Sequence, residues 1–132
     1  MTICSDTAAP VQAEEISVYE AIGGRAALVA AVDGFFGRLL ADPVLSPYFP
    51  QGVGPKHRAY LVTILGEALG GRERYRGPDI AVAHHGLGIS NDHFDRAAGH
   101  LDATLAGLGV PRHLVDHIVG IVAGLRPAVV TA

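Results

Sequence analysis

The chain has 132 residues, 49% of them hydrophobic, and a formal charge of −3 from 10 basic and 13 acidic side chains. That length holds one domain with a real core and is too short for two. The acidic balance, without any cluster of Lys or Arg, gives no electrostatic reason to expect nucleic acid, and the longest apolar run, around Ala26 to Val32, is far too short to span a membrane.

Residues 1–15, MTICSDTAAPVQAEE, lack the basic start and apolar stretch of a signal peptide. They read as a flexible tail on a cytoplasmic protein, with one domain over residues 16–130. Cys4, the single cysteine, lies in that tail, so no intramolecular disulfide can form. A short helix is expected from Val18 to Ile22. Gly23 and Gly24 separate it from a longer helix over Arg25 to Leu40, where Leu28, Val32, Phe35, Phe36, Leu39 and Leu40 recur at intervals of three and four. Asp42 followed by Pro43 reads as an N-cap with proline at the first helical position, opening a short turn that ends near Phe49. Gly52 and Gly54 loosen the chain, and Pro55 opens a helix that runs to Leu69 and stops at Gly70, with His57, Leu61, Ile64, Leu65 and Ala68 on one face.

The segment Gly70 to Ile89, GGRERYRGPDIAVAHHGLGI, breaks this pattern. Its glycines and proline allow an irregular loop with one short helical turn around Asp79 to His85. A loop of this length is uncommon inside a compact domain and is usually functional or disordered. This one delivers His84 and His85 beside apolar Leu87 and Ile89, a setting suited to metal or haem ligation. Ser90 can then cap a helix whose Asp92 complements the positive end of the dipole and whose stripe is Phe94, Ala97, Ala98, Leu101, Leu105 and Leu108. Gly109 ends it. Pro111 starts the last helix, with Leu114, Val115, Ile118, Val119, Val122 and Leu125 facing inward until Pro127 interrupts. No segment alternates with period two and no internal repeat is visible, so the fold class is all-α, with four main helices plus short turns.

Seven histidines carry the functional question. His113 and His117 have the i, i+4 spacing of a helical metal pair but border the apolar face without a third ligand nearby, and read as a solvated helix edge. His93 and His100 read as hydrogen-bonded packing residues. His57 shares the inward face of its helix, where an unpartnered imidazole costs free energy. It is either a satisfied core histidine or a ligand of something in the core, and spacing leaves both open.

The order of SVYEAIGG, FFGRLLADPVLSPYF, ALGG, YRGPDIAVAHHGLGIS and HF resembles the truncated haemoglobins, most closely group I, from Ser17 to about Val130 without gaps. The resemblance implies a two-over-two helical sandwich around haem b, with the proximal ligand on the irregular loop. It places that ligand at His84, two residues before the first glycine of GLG, and turns His85 away from the iron. The apolar walls it implies are Phe49, Ala83, Leu87, Ile89, Phe94, Ala97 and Leu101, and Lys56 or Arg58 could pair with a haem propionate.

On the distal side the family typically supplies a tyrosine and a glutamine, and here those positions read Phe36 and Leu61, neither of which can donate a hydrogen bond. The donor above the iron is therefore expected at His57, with Tyr60 as the weaker candidate, and Ile64 in place of a bulky aromatic suggests a more open path for gas. Three functions follow. The resemblance implies reversible binding of oxygen, NO or CO, with nitric oxide dioxygenase activity supported by a reductase as its enzymatic form. A six-coordinate protein, with His57 and His84 both on the iron, would serve electron transfer or sensing. A haem-free helical interaction module is what composition alone allows.

Overall fold

The computed structural model describes residues 16–76 and 80–131, leaving the side chains of Val82 and Ala83 undescribed. The expected tail with Cys4, the start of the loop turn at Asp79 and the wall contact of Ala83 lie outside the described residues. Within them every regular element is helical: α1 (Val18–Ala21), α2 (Gly24–Ala41), a 3-10 turn (Ser46–Tyr48), α3 (Pro55–Ala68), α4 (Ile80–Ala83), α5 (Asn91–Gly107), α6 (Arg112–Ala123) and α7 (Arg126–Val129). Helix α2 packs on α3, α5 packs on α6, and the two pairs join through contact of α2 with α5. The core forms where they meet, around Leu28, Val32, Leu65, Leu101, Val115 and Ile118.

Local chemistry sets most boundaries. Ser17 Oγ accepts from the Glu20 amide at the start of α1, and Ser90 Oγ accepts from the His93 amide at the start of α5, as expected for N-caps. Pro55 opens α3 where its missing N–H costs nothing. Pro127 opens the short α7 and does not simply end the chain's helical run. Leu40, His57, Ala68 and Leu108, all expected to face inward, are exposed. Each lies at a helix end, and helices that cross at an angle touch only near the crossing point.

Asp42 caps the turn that follows it, as expected, with its side chain accepting from the Val44 amide and its carbonyl from the Leu45 and Ser46 amides. It also closes α2 from an extended conformation, and the turn through Pro43 leads into the 3-10 helix, which has Pro47 in its own first turn. Its carboxylate is buried, accepting from the Val44 amide at 2.8 Å, Arg96 Nε at 2.5 Å and His100 Nε2 at 2.7 Å. The loop after α2 is thereby tied to α5. The Arg96 guanidinium, and after it His100, hold the Asp42 carboxyl well below the usual carboxylate range. A carboxyl whose folded pKa is depressed stabilises the fold above its unfolded pKa of about 4, and that contribution is lost as pH falls further. Asp42→Asn should therefore lower stability at neutral pH, with the difference from the parent shrinking below roughly pH 4 in denaturant melts at stepped pH.

The α2–α5 crossing is close. A Cβ on Gly34 would lie 2.8 Å from Cγ2 of Thr104, a buried side chain pinned by its Oγ1 donating to the His100 carbonyl at 2.7 Å. Gly37, one turn on, is exposed and a Cβ there meets nothing within 4 Å. Replacing a mid-helix glycine by alanine gains about 1 kcal/mol in propensity, whereas overpacking costs about 1 to 3 kcal/mol. Gly37→Ala should raise the chemical-denaturation midpoint and Gly34→Ala should lower it.

The histidine loop is stitched at both ends. At its start the Glu73 carboxylate accepts from Tyr19 Oη at 2.9 Å and from Arg25 at 2.8 Å, joining the segment to α1 and α2. Burial pushes the Glu73 carboxyl up, but its own backbone amide, Tyr19 and Arg25 outweigh this and leave it below its ordinary value. At its end Gly86 and Gly88 take φ of 81° and 69°, a left-handed region that suits glycine. The Gly88 amide donates to Thr131 Oγ1, and the Thr131 amide donates to the Ile89 carbonyl, each at 3.0 Å. The loop emerges held against the end of the chain.

Candidate functional site

Between the two helix pairs lies a cavity of about 540 Å³. It is within the roughly 300 to 1,000 Å³ of sites that enclose a cofactor-sized molecule. Helix α2 lines it with Phe35, Phe36 and Leu39, and the 3-10 region with Leu45, Tyr48 and Phe49. Helix α3 presents Lys56, His57, Tyr60, Leu61, Ile64 and Leu65 along one side. Opposite stand Ile80, His84, Leu87 and Ile89 of the loop, and His93, Phe94, Ala97, Ala98 and Leu101 of α5. Every residue expected at the site is thus brought to one cavity, except Ala83, which lies outside the described side chains, and Arg58.

Arg58 is committed elsewhere. Its Nε donates to Asp33 at 2.9 Å and an Nη to the Val53 carbonyl at 3.1 Å, which fastens α3 to α2. Lys56 therefore remains as the cation of the cavity lining. Spacing along one helix could not separate the two, because Asp33 comes from a different element. The sequence also passed over the lining contributed by Val122, Leu125 and Val129. The apolar stripe of the last helix marked the first two as inward, but only the packing of α7 on α4 brings Val129 to the loop side.

The two histidines that matter differ in the ring nitrogen each commits. His84 is one residue past α4, and its Nδ1 lies 2.9 Å from the carbonyl of Ile80, one turn back. A carbonyl only accepts, so Nδ1 carries the proton and Nε2 keeps a lone pair. That is the arrangement of a metal-binding imidazole whose other nitrogen is held by a backbone carbonyl. His57 shows the reverse. The Gly54 amide donates to its Nδ1 at 3.0 Å, so the neutral ring carries its proton on Nε2 and presents a donor. Phe49 and Phe36 pack against the His57 ring near perpendicular, at centroid distances of 5.7 and 6.4 Å. Tyr60 packs edge-on to Tyr75 at 5.4 Å and lies 6.3 Å from the His84 ring. His85 is exposed and absent from the cavity lining, whereas His93 lies in it, with Nδ1 2.7 Å from Tyr48 Oη. His113 and His117 are solvent-facing.

Among the described residues no three His, Cys, Asp or Glu side chains come together to hold a metal ion by themselves. A metal on His84 would draw its remaining ligands from a bound cofactor. An apolar slot of this volume, with one free imidazole lone pair and a lysine in its lining, fits a planar apolar macrocycle that carries a metal and acidic side groups. These residues fit haem.

The family model for bacterial-like globins matches residues 17–131. The chain belongs to the truncated haemoglobins. It is 38% identical over 120 residues to the group 1 truncated haemoglobin GlbN of Mycolicibacterium paratuberculosis, covering 91% of this chain and 88% of that one. With the group 1 truncated haemoglobin of Tetrahymena thermophila it shares 39% identity over 108 residues, 79% of this chain and 83% of the relative. Among solved structures, the Fe(III) form of truncated haemoglobin from Tetrahymena pyriformis superposes with a TM-score of 0.83 at 29% identity, over 89% of this chain and 100% of that one. The 2/2 haemoglobin of Synechococcus sp. PCC 7002, in the cyanomet state with covalently attached haem, gives 0.80 at 33% identity, over 86% and 98%. The all-helical two-over-two fold is thus the globin fold that binds haem and diatomic gases. No helix among the described residues is long and apolar enough to cross a membrane.

Proposed function

We propose that this truncated haemoglobin holds haem b on His84 and reversibly binds oxygen or another diatomic gas beneath His57. The observation that carries this reading is the opposed state of the two rings, a lone pair on His84 Nε2 and a proton on His57 Nε2. When bound, haem supplies a ferrous iron that takes a diatomic gas reversibly. The chain does the rest. His84 anchors the metal, held in orientation by the Ile80 carbonyl. Phe36, Phe49, Leu61, Ile64, Phe94, Ala97 and Leu101 form an apolar wall that excludes water, and Lys56 pairs with an acidic side group of the macrocycle. His57 Nε2–H donates to the partial negative charge on the gas, with its ring braced by Phe36 and Phe49.

The six-coordinate alternative is less favoured by this geometry. For Nε2 of His57 to ligate iron, the proton must move to Nδ1, and the hydrogen bond from the Gly54 amide must break. Reversible binding is likewise favoured over nitric oxide dioxygenation supported by a reductase. With Phe36 and Leu61 unable to donate, the pocket lacks the tyrosine and glutamine donors the family typically supplies, so oxygen is retained less firmly and release competes with reaction. The purified protein should show a Soret band, and its unliganded ferrous spectrum should be five-coordinate and high-spin. A six-coordinate low-spin ferrous spectrum would overturn the role given to His57. Haem that binds only the folded chain stabilises it by mass action, so the apoprotein should melt well below the holoprotein, and equal melting temperatures would overturn haem as the centre of the domain.

A further inference from the structure

The glycines that free the histidine loop leave its position to be set from outside. Gly86 and Gly88 both take left-handed backbone, and a Cβ on either would meet nothing within 4 Å, so neither is wedged against a neighbour. The segment from Arg126 to Thr131 supplies the hold. Helix α4, which leads into His84, packs on α7 more than on any other helix. Thr131 closes the far side of the loop, its hydroxyl accepting from the Gly88 amide and its own amide donating to the Ile89 carbonyl, each at 3.0 Å. Arg126 grips the turn that follows. One Nη donates to Asn91 Oδ1 at 3.0 Å and the other to Asp95 Oδ1, while the guanidinium carbon lies 4.6 Å from the centre of the Phe94 ring. Phe94 is buried and lines the cavity on the same side as His84.

An exposed ion pair contributes little on its own. Arg126 differs because its planar fork fixes two partners at once and lies over an aromatic face, which orients a buried ring of the cavity wall from outside. The Ile80 carbonyl turns the His84 ring relative to α4, but where α4 and the loop stand is decided by what they pack on. A bond between an imidazole and a metal depends on the distance and tilt of the ring, so the groups that place the loop also set the strength of that bond. We infer that Arg126 and Thr131 are positioning residues for His84, clasping its loop so that the bond to the cofactor's metal takes a single geometry, and through that bond setting how firmly cofactor and gas are held. Neither residue lines the cavity. Thr131 acts through the loop backbone, and Arg126 through Phe94 and the first turns of α5. The inference rests on the reading that His84 holds haem.

The test is resonance Raman spectroscopy of the unliganded ferrous holoprotein, in which the iron–histidine stretching band reports the bond to His84 directly. The parent should give one narrow band. Thr131→Val removes the hydroxyl and keeps the shape, and Arg126→Met keeps the stem and removes the fork and its charge. In each the band should broaden and move to lower frequency, since a ring free to tilt binds the metal less squarely. Haem transfer to excess apomyoglobin should quicken roughly 2-fold to 10-fold, the change expected when one ordinary hydrogen bond is lost. Thr131→Ser restores the hydroxyl and should match the parent. Arg112→Met breaks exposed ion pairs of the same kind, to Asp102 and Asp116, and should leave the band unchanged. A purely structural role would lower the melting temperature of Thr131→Val and Arg126→Met without altering the band. That outcome, or a band moved equally in Arg112→Met, would overturn the inference. Absence of a Soret band in the parent would instead overturn the haem reading on which it stands.

Discussion

Replacing His84 by alanine is expected to abolish haem binding, or to weaken it so far that the purified protein has no Soret band, while His85→Ala leaves the spectrum nearly unchanged. The two residues are neighbours in sequence and differ in every respect that matters to a metal. His84 lines the cavity with Nδ1 held by the Ile80 carbonyl at 2.9 Å, which leaves Nε2 free to bind. His85 is exposed and absent from the cavity lining. Reconstitution of each apoprotein with one equivalent of haem, followed by absorbance, measures this directly. If His85→Ala lost the Soret band and His84→Ala kept it, the proximal assignment would be wrong. Imidazole added to the His84→Ala cavity should restore part of the spectrum, since it supplies the missing lone pair.

Converting His57 to leucine is expected to speed oxygen release without changing the unliganded ferrous spectrum. A hydrogen bond to a charged or strongly polar acceptor contributes about 1.5 to 3 kcal/mol. Since each 1.4 kcal/mol is tenfold, release should quicken by roughly 10-fold to 100-fold. Carbon monoxide carries little charge and should respond much less, so the ratio of the two release rates reports the donor specifically. The same mutation would convert a six-coordinate ferrous spectrum to a five-coordinate one and accelerate gas binding if His57 were an iron ligand. No change in either rate or spectrum would mean that His57 does not act on the gas. Stopped-flow release kinetics and the deoxygenated spectrum together decide the matter.

Much of the architecture was legible in one dimension because helix formation is local. Apolar residues three and four apart show the faces of α2, α3, α5 and α6, Ser90 and Pro55 mark two starts, and the glycine-rich stretch before Ser90 stands out because it cannot be long helix. The lining from Phe36 to Leu101 was legible mainly as what the family resemblance implies, with Leu61, Phe94, Ala97 and Leu101 also falling on the apolar stripes of their helices. Tertiary structure alone decided the partners. Arg58 turns to Asp33, 25 residues away, which leaves Lys56 for the cavity, and Asp42, besides capping its turn, proves to be a buried anchor for Arg96 and His100. Tyr48 finds His93 across 45 residues. Even the protonation of His57 and His84 waited on coordinates, although Gly54 and Ile80 are near them in sequence. A ring's tautomer depends on which nitrogen meets a backbone donor or acceptor, and that is set by side-chain orientation, which spacing does not encode.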